Sequence, residues 1–269
     1  MNDTRNDPKN DTRNDPMFDP MMQEDGPRGR RIYLIPNLLT TCNLIAGFYC
    51  LIATYHGRFE HAAFAIVAAG VFDLLDGRVA RALGGGSKFG VEYDSLADLI
   101  SFGLAPAFLM YSWALEGYGR VGWVVACLYV ICVALRLARY NVHQEDPGVK
   151  SALFTGMPSP GGGGMICSLV LFESRYGLIG PYVHVLSLFL VIFLSFLLVS
   201  TIPYGRGARG GSHPFLNLVS GILVLVAVVA EPHLVLFLIG ITYTSSGLVR
   251  WARLRYQSGR ALGDARHAR

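Results

Sequence analysis

Apolar residues run along the chain in blocks of about twenty, separated by short polar stretches. The blocks fall at about 33–55, 60–76, 92–115, 121–140, 161–179, 181–202, 214–230 and 233–251. Each is close to the roughly 20 residues that carry an α-helix across a ~30 Å hydrocarbon layer. The pattern predicts an all-α fold, a polytopic membrane helix bundle of about eight transmembrane helices. Eight crossings put both termini on one side, and the basic residues say which. Arg58, Arg120 and Arg175 are the only basic residues in the odd-numbered connections. The other 20 of the 23 Lys and Arg lie in the termini, in the even connections or at the span ends facing them. The positive-inside rule makes that side cytoplasmic.

Composition supports this reading. The 269 residues are 52% hydrophobic and 16% charged, with a mean hydropathy of +0.40. Soluble domains carry roughly 25% charged residues, so one compact membrane bundle is expected rather than two soluble domains. The net charge of +4 adds little. Cys42, Cys50, Cys127, Cys132 and Cys167 all sit in apolar blocks without a CxxC pair, and read as small buried hydrophobes rather than disulfide or zinc partners.

Residues 1–31 form a polar leader in which NDTRNDPK at 2–9 is followed by NDTRNDPM at 10–17. Nothing in it can bury a core, so it is expected to be disordered, and it lacks the apolar stretch of a signal peptide. Arg28, Arg30 and Arg31 make a basic collar before the first span. The transmembrane domain is expected over 32–255 and a basic cytoplasmic tail over 256–269. The tail's cations suit anionic lipid headgroups, at roughly 1 kcal/mol each, better than nucleic acid.

Candidate chemistry concentrates in VFDLLDGRVARALGGGSKFGVEYDSLAD, residues 71–98. Asp73 and Asp76 stand i,i+3 and Asp94 and Asp98 stand i,i+4, so on helices each pair faces one way. Carboxylates at the edge of apolar spans are costly without a counter-charge. Two pairs facing each other across a turn would form an all-oxygen cage suited to Mg²⁺ or Mn²⁺. Small residues at Gly77 and Ala80 let a ligand approach the backbone, Arg81 offers a planar fork for phosphate, and Ser87 adds a hydroxyl. The structural alternative is a pair of buried ion pairs, for instance Asp76 with Arg81. Arg78, Arg81 and Lys88 are three cations and cannot neutralise four acids.

The spacing D-x2-D-G-x2-A-R-x8-G-x3-D-x3-D is filled by Asp73, Asp76, Gly77, Ala80, Arg81, Gly90, Asp94 and Asp98. It resembles the signature of the CDP-alcohol phosphotransferases, integral membrane enzymes of phospholipid synthesis. The resemblance implies that Asp73, Asp76, Asp94 and Asp98 hold divalent metal, two ions of Mg²⁺ or Mn²⁺, and that Asp98 also serves as the catalytic base. It implies that Gly77, Ala80, Arg81 and Ser87 meet the CDP moiety of a CDP-linked lipid. The first span opens IPNLLTTCN, and Asn37 and Thr40 match in position an element that lines the nucleotide pocket in that family. Capping and interhelical hydrogen bonding explain the same two residues.

ALRLARYN at 134–141 and FTGMPSP at 154–160, with LVSTIPY at 198–204, resemble the branch of the family that uses L-serine as acceptor. Arg136, Arg139, Asn141 and Ser159 are therefore expected at the acceptor site, where a guanidinium suits an amino-acid carboxylate. The alternative for the arginines is a snorkelling membrane anchor. The implied reaction moves the phosphatidyl group of CDP-diacylglycerol to L-serine, giving phosphatidylserine and CMP. The implied setting is a bacterial cytoplasmic (inner) membrane, with membrane lipids as partners, no nucleic acid, and a homodimer. A sister transferase using glycerol 3-phosphate or inositol phosphate, and more remotely an ion-binding transporter, are the competing readings. Gly161–Gly164 stands where relatives more often carry alanines, which bears on the acceptor side and not on the signature.

Overall fold

The computed structural model describes residues 34–83, 88–145, 156–202, 204 and 214–267. The 1–31 leader and the connections at 84–87, 146–155 and 205–213 lie outside them. Among the described residues the chain forms eight helical rods and no strand. They are α1 (Leu34–Tyr55), α2 (Phe59–Ala82), α3 (Lys88–Tyr118), α4 (Arg120–Glu145), α5 (Ser159–Tyr176), α6 (Val183–Val199), α7 (Pro214–Ala230) and α8 (Pro232–His267). One rod falls on each predicted apolar block. Helices are what such blocks must form in lipid, where backbone polar groups find no water and have to pair within the segment.

Five of the rods, α1, α3, α4, α6 with the turn before it, and α8, are long and apolar enough to cross a membrane. This is a polytopic helical membrane protein. The other three have plain reasons for falling short: α2 carries Asp73, Asp76, Arg78 and Arg81, α5 opens on Ser-Pro and four glycines and ends with Glu173 and Arg175, and α7 is only 17 residues long. Outward faces are apolar, with Leu38, Phe189 and Val229 each more than half exposed. In a bilayer such faces meet lipid and need no partner. The helix that begins at Pro232 runs on to His267, so the start of the expected tail is a continuation of the last rod.

Two apolar clusters hold the rods together. One joins α3, α4, α5 and α6 through Met110, Leu115, Tyr129, Ile166 and Leu194. The other joins α1, α2, α3 and α5 through Cys50, Ala62, Ala69, Phe102 and Val170. All five cysteines are free; Cys50, Cys132 and Cys167 are buried, Cys42 is half-buried and Cys127 faces outward.

Small residues set the closest approaches. A β-carbon at Gly47 of α1 would lie 2.8 Å from the Cα of Ser101 in α3, so these backbones touch. The run Gly161–Gly163 lets α5 settle against Tyr243, Tyr129 and Phe102. A β-carbon there would fall 2.7 Å from the Tyr243 ring at Gly161 and 2.8 Å from the Tyr129 hydroxyl at Gly162. The departure from alanine thus has a packing reason at these positions.

The third rod is not uniform. It is α-helical over Lys88–Asp98, π-helical over Leu99–Leu104, α-helical again over Ala105–Met110 and π-helical over Tyr111–Leu115. A π turn loosens the regular backbone ladder. The wholly buried Tyr129 supports the first one by donating its hydroxyl to the Phe102 carbonyl at 3.1 Å. Away from the acids, His233 at the start of α8 meets Glu60 at the start of α2 at 3.0 Å. Tyr176 of α5 donates to Glu231 at 2.7 Å.

Candidate active site

The acids expected from spacing come together. Asp73 and Asp76 project from the last turns of α2 and Asp94 from the first turns of α3. Each of the three offers a carboxylate oxygen within 4.8 Å of the others. Oxygens ligating one Mg²⁺- or Mn²⁺-sized ion at roughly 2.0–2.6 Å sit up to about 4–5 Å apart across it. The trio is dimensioned for that role. Oδ1 of Asp94 is buried and has no hydrogen-bond partner among the described residues. A buried lone carboxylate oxygen aimed at two more carboxylates fits a hard cation, and the all-oxygen donor set excludes a soft one. This trio can hold a divalent metal.

Asp98 stands apart from the trio. It is 7% exposed, and its Oδ1 accepts a hydrogen bond from Nδ2 of Asn43 at 3.3 Å. Thr40, one turn earlier in α1, donates its hydroxyl either to Oδ2 of Asp76 at 3.0 Å or to the Pro36 carbonyl at 3.1 Å. Thr41 donates to the Asn37 carbonyl at 2.8 Å and lies 3.0 Å from the Tyr93 hydroxyl. Asn37 is half-buried one turn before Thr40 and Thr41. Among the described residues no Lys or Arg is seen in an ion pair with any of the four acids, and Arg136 faces Asp73 and Asp98 across the same cavity. The alternative in which Asp76 pairs with Arg81 is not what the fold adopts.

Arg81 is exposed and lies back along α2 toward Gly77, where a β-carbon would sit 4.0 Å from its Nη2. Gly77 and Ala80 are half-buried on that side, leaving open backbone beside the acids. Ser87 lies outside the described residues.

A cavity of about 260 Å³ opens beside the trio, lined by Asp73, Asp94, Ser95, Asp98, Arg136, Tyr140, Asn141 and Pro160 among others. It unites acids from α2 and α3 with the basic and amide groups of α4. Arg136 is fixed by a 2.6 Å hydrogen bond from Nη1 to the hydroxyl of Ser159, which is fully buried. Nδ2 of Asn141 donates to the Ser95 hydroxyl at 3.0 Å and to Glu92 at 3.2 Å. Arg139 points elsewhere, donating to the Val199 carbonyl at 3.5 Å, and does not line the cavity. Of the four expected acceptor residues, two reach the cavity and Ser159 supports one of them. Asn43, Ser95 and Tyr140 complete the surroundings. Asn43 closes the stretch IPNLLTTCN, where its spacing does not mark it as a partner of the acids.

A second, apolar cavity of about 370 Å³ lies between α2, α5 and α8, bounded by Ile66, Gly70, Phe102, Met165, Leu236 and Tyr243 among others. Pro160 lines both cavities.

Three carboxylates, half-buried Gly77 and Ala80 and a cavity that holds Arg136 lie together in a helical membrane bundle, an arrangement suited to a membrane enzyme of phosphate-bearing substrates. Residues 33–244 match the family model of CDP-alcohol phosphatidyltransferase, and the chain belongs to that family. A CDP-diacylglycerol–serine O-phosphatidyltransferase of Mycobacterium bovis is 37% identical over 229 residues, 81% of this chain and 79% of the relative. One of the same name from Helicobacter pylori is 34% identical over 223 residues, 82% of this chain and 92% of the relative. An archaetidylserine synthase of Methanothermobacter thermautotrophicus is 37% identical over 174 residues, 64% of this chain and 70% of the relative.

Proposed function

We propose that the chain transfers the phosphatidyl group of CDP-diacylglycerol to the hydroxyl of L-serine, giving phosphatidylserine and CMP. The observation that carries this is the single cavity joining Asp73, Asp94 and Asp98 to Arg136 and Asn141. Phosphoryl chemistry needs the first group; an amino-acid acceptor needs the second. Relatives named for serine transfer lend the same support.

Asp73, Asp76 and Asp94 are assigned as metal ligands, with Asp98 at their margin, for two ions of Mg²⁺ or Mn²⁺. When bound, such ions draw charge from the pyrophosphate oxygens and from the departing CMP. The chain's own groups do the rest. Gly77, Ala80 and Arg81 take the CDP moiety, with Ser87, Asn37 and Thr40 on the same side. Arg136 binds the serine carboxylate while Ser159 holds the guanidinium, and Asn141 with Ser95 hydrogen-bonds the amino group. Asp98 accepts the hydroxyl proton as the serine oxygen bonds to the β-phosphorus. The bond from that phosphorus to the CMP oxygen breaks, and CMP departs with the electron pair.

Among the described residues lining the cavity, Arg136 is the single cation. One guanidinium matches a carboxylate; a phosphorylated acceptor calls for more. The setting proposed is a bacterial cytoplasmic membrane, crossed by all eight rods with both termini in the cytoplasm, and the assembly a homodimer.

The test is CMP release by purified protein with CDP-diacylglycerol and Mn²⁺ or Mg²⁺, offering serine, glycerol 3-phosphate and inositol phosphate in turn. Release with serine alone is expected. Asp98→Asn should lower turnover roughly 10²–10⁴-fold and leave CDP-lipid binding little changed. Near-normal turnover in that variant removes the base assignment.

A further inference from the structure

We infer that Asn43 is the positioning residue for Asp98, and that one stripe of α1 sets the spacing of the two carboxylate pairs. The inference rests on the transferase reading for the role of Asp98. Thr40, Asn43 and Gly47 stand at i, i+3 and i+7, on one face of α1. All three are buried. Each meets a different part of the site. Thr40 reaches Asp76 of α2 at 3.0 Å, Asn43 reaches Asp98 of α3 at 3.3 Å, and Gly47 lets the backbone of α1 touch Ser101.

Asn43 is gripped twice. Its side chain donates to Asp98, and its backbone carbonyl accepts the Ser101 hydroxyl at 3.0 Å. Ser101 belongs to the π turn that follows Asp98, so the segment carrying that acid is tied to α1 from both sides. One oxygen of Asp98 is thereby committed to Asn43 while the side chain also faces the cavity. That bond favours one orientation of the carboxylate over the others. Oδ1 of Asn43 has no hydrogen-bond partner among the described residues, although the residue is completely buried. A side chain placed for stability would satisfy both ends of its amide; this one serves the carboxylate.

A merely structural asparagine and a positioning one differ in coupling. The experiment is a double-mutant cycle of Asn43→Ala and Asp98→Asn in the full-length protein, in detergent micelles. CMP release would be followed with whichever acceptor the parent uses. Asn43→Ala should lower kcat roughly tenfold, as loss of a hydrogen bond to a charged group does, with KM for CDP-diacylglycerol within about twofold. In the Asp98→Asn background the same change should cost less than about twofold, because the group it positions is gone. Equal costs in both backgrounds, or a parent-like kcat in folded Asn43→Ala, would overturn the assignment. Should Asn43→Ala not fold, Asn43→Ser, too short to reach Asp98, runs the same cycle. No CMP from the parent with any acceptor would sink the transferase reading, whereas normal parent turnover with additive costs sinks only the role of Asn43.

Discussion

Arg136 is held by Ser159 through a 2.6 Å hydrogen bond, so the cation of the polar cavity is anchored to the first turn of α5 rather than left free on the side of α4. A guanidinium on a free stem loses rotamer entropy whenever it binds. Here much of that cost is met in folding. Ser159→Ala should therefore raise KM for serine roughly tenfold, the order expected when a hydrogen bond to a charged group is lost, and change kcat much less. Initial rates of CMP release against serine concentration read the split.

Arg139→Ala gives the contrast. Its guanidinium caps the Val199 carbonyl and does not line the cavity. Serine KM should stay within about twofold, in the range of a surface substitution. An increase like that of Ser159→Ala would place Arg139 at the acceptor after all.

The acidic trio predicts an absolute metal requirement. Chelation should abolish CMP release, and added Mn²⁺ or Mg²⁺ should restore it. Asp94→Asn removes a half-buried carboxylate that faces two others, and should cut activity at saturating metal by roughly a hundredfold. Metal titration of the purified variant, followed by the spectrum of bound Mn²⁺, separates lost binding from lost folding.

Thr40→Val keeps the shape of the residue and deletes its hydroxyl. Loss of an outer hydrogen bond to a metal-binding carboxylate weakens metal affinity roughly 10–100-fold. The metal concentration for half-maximal activity should rise accordingly. An unchanged value would mean that the Thr40 hydroxyl serves Pro36 alone.

Gly47→Ala tests the contact of α1 with α3. The added β-carbon, 2.8 Å from the Cα of Ser101, forces the two backbones apart. Overpacking of this kind costs roughly 1–3 kcal/mol, and thermal unfolding in detergent should fall by roughly 2–4 °C for each kcal/mol.

Features with a local period were legible in the sequence. The helical fold followed from apolar blocks of membrane-spanning length. The meeting of Asp73, Asp76 and Asp94 followed from i,i+3 and i,i+4 spacings on either side of a short connection. Links between distant residues were not legible. Asn43 and Asp98 are 55 positions apart, and no spacing rule pairs an amide in one span with an acid in another. Arg136 and Arg139 show the limit of local reasoning. Both sit near the end of one helix, yet a rotation of three residues sends one into the cavity and the other to Val199. Nor did any spacing show that the Ser159 hydroxyl would accept from Arg136, 23 positions away. The π turns left no compositional trace, since they depend on what α3 packs against.

The first π turn has a mechanical consequence. Every α-helical residue turns the chain by about 100°, and the π turn over residues 99–104 takes up an extra position by widening the coil, between the part of the rod that carries Asp94 and Asp98 and the part beyond. The widened coil works like an offset crankshaft: one half of the rod is timed to the acids of α2, the other to the hydrophobic neighbours farther along. Losing one position there would let the coil close into regular helix with the acids still facing α2, whereas the same loss in the α-helical parts of the rod would turn them away.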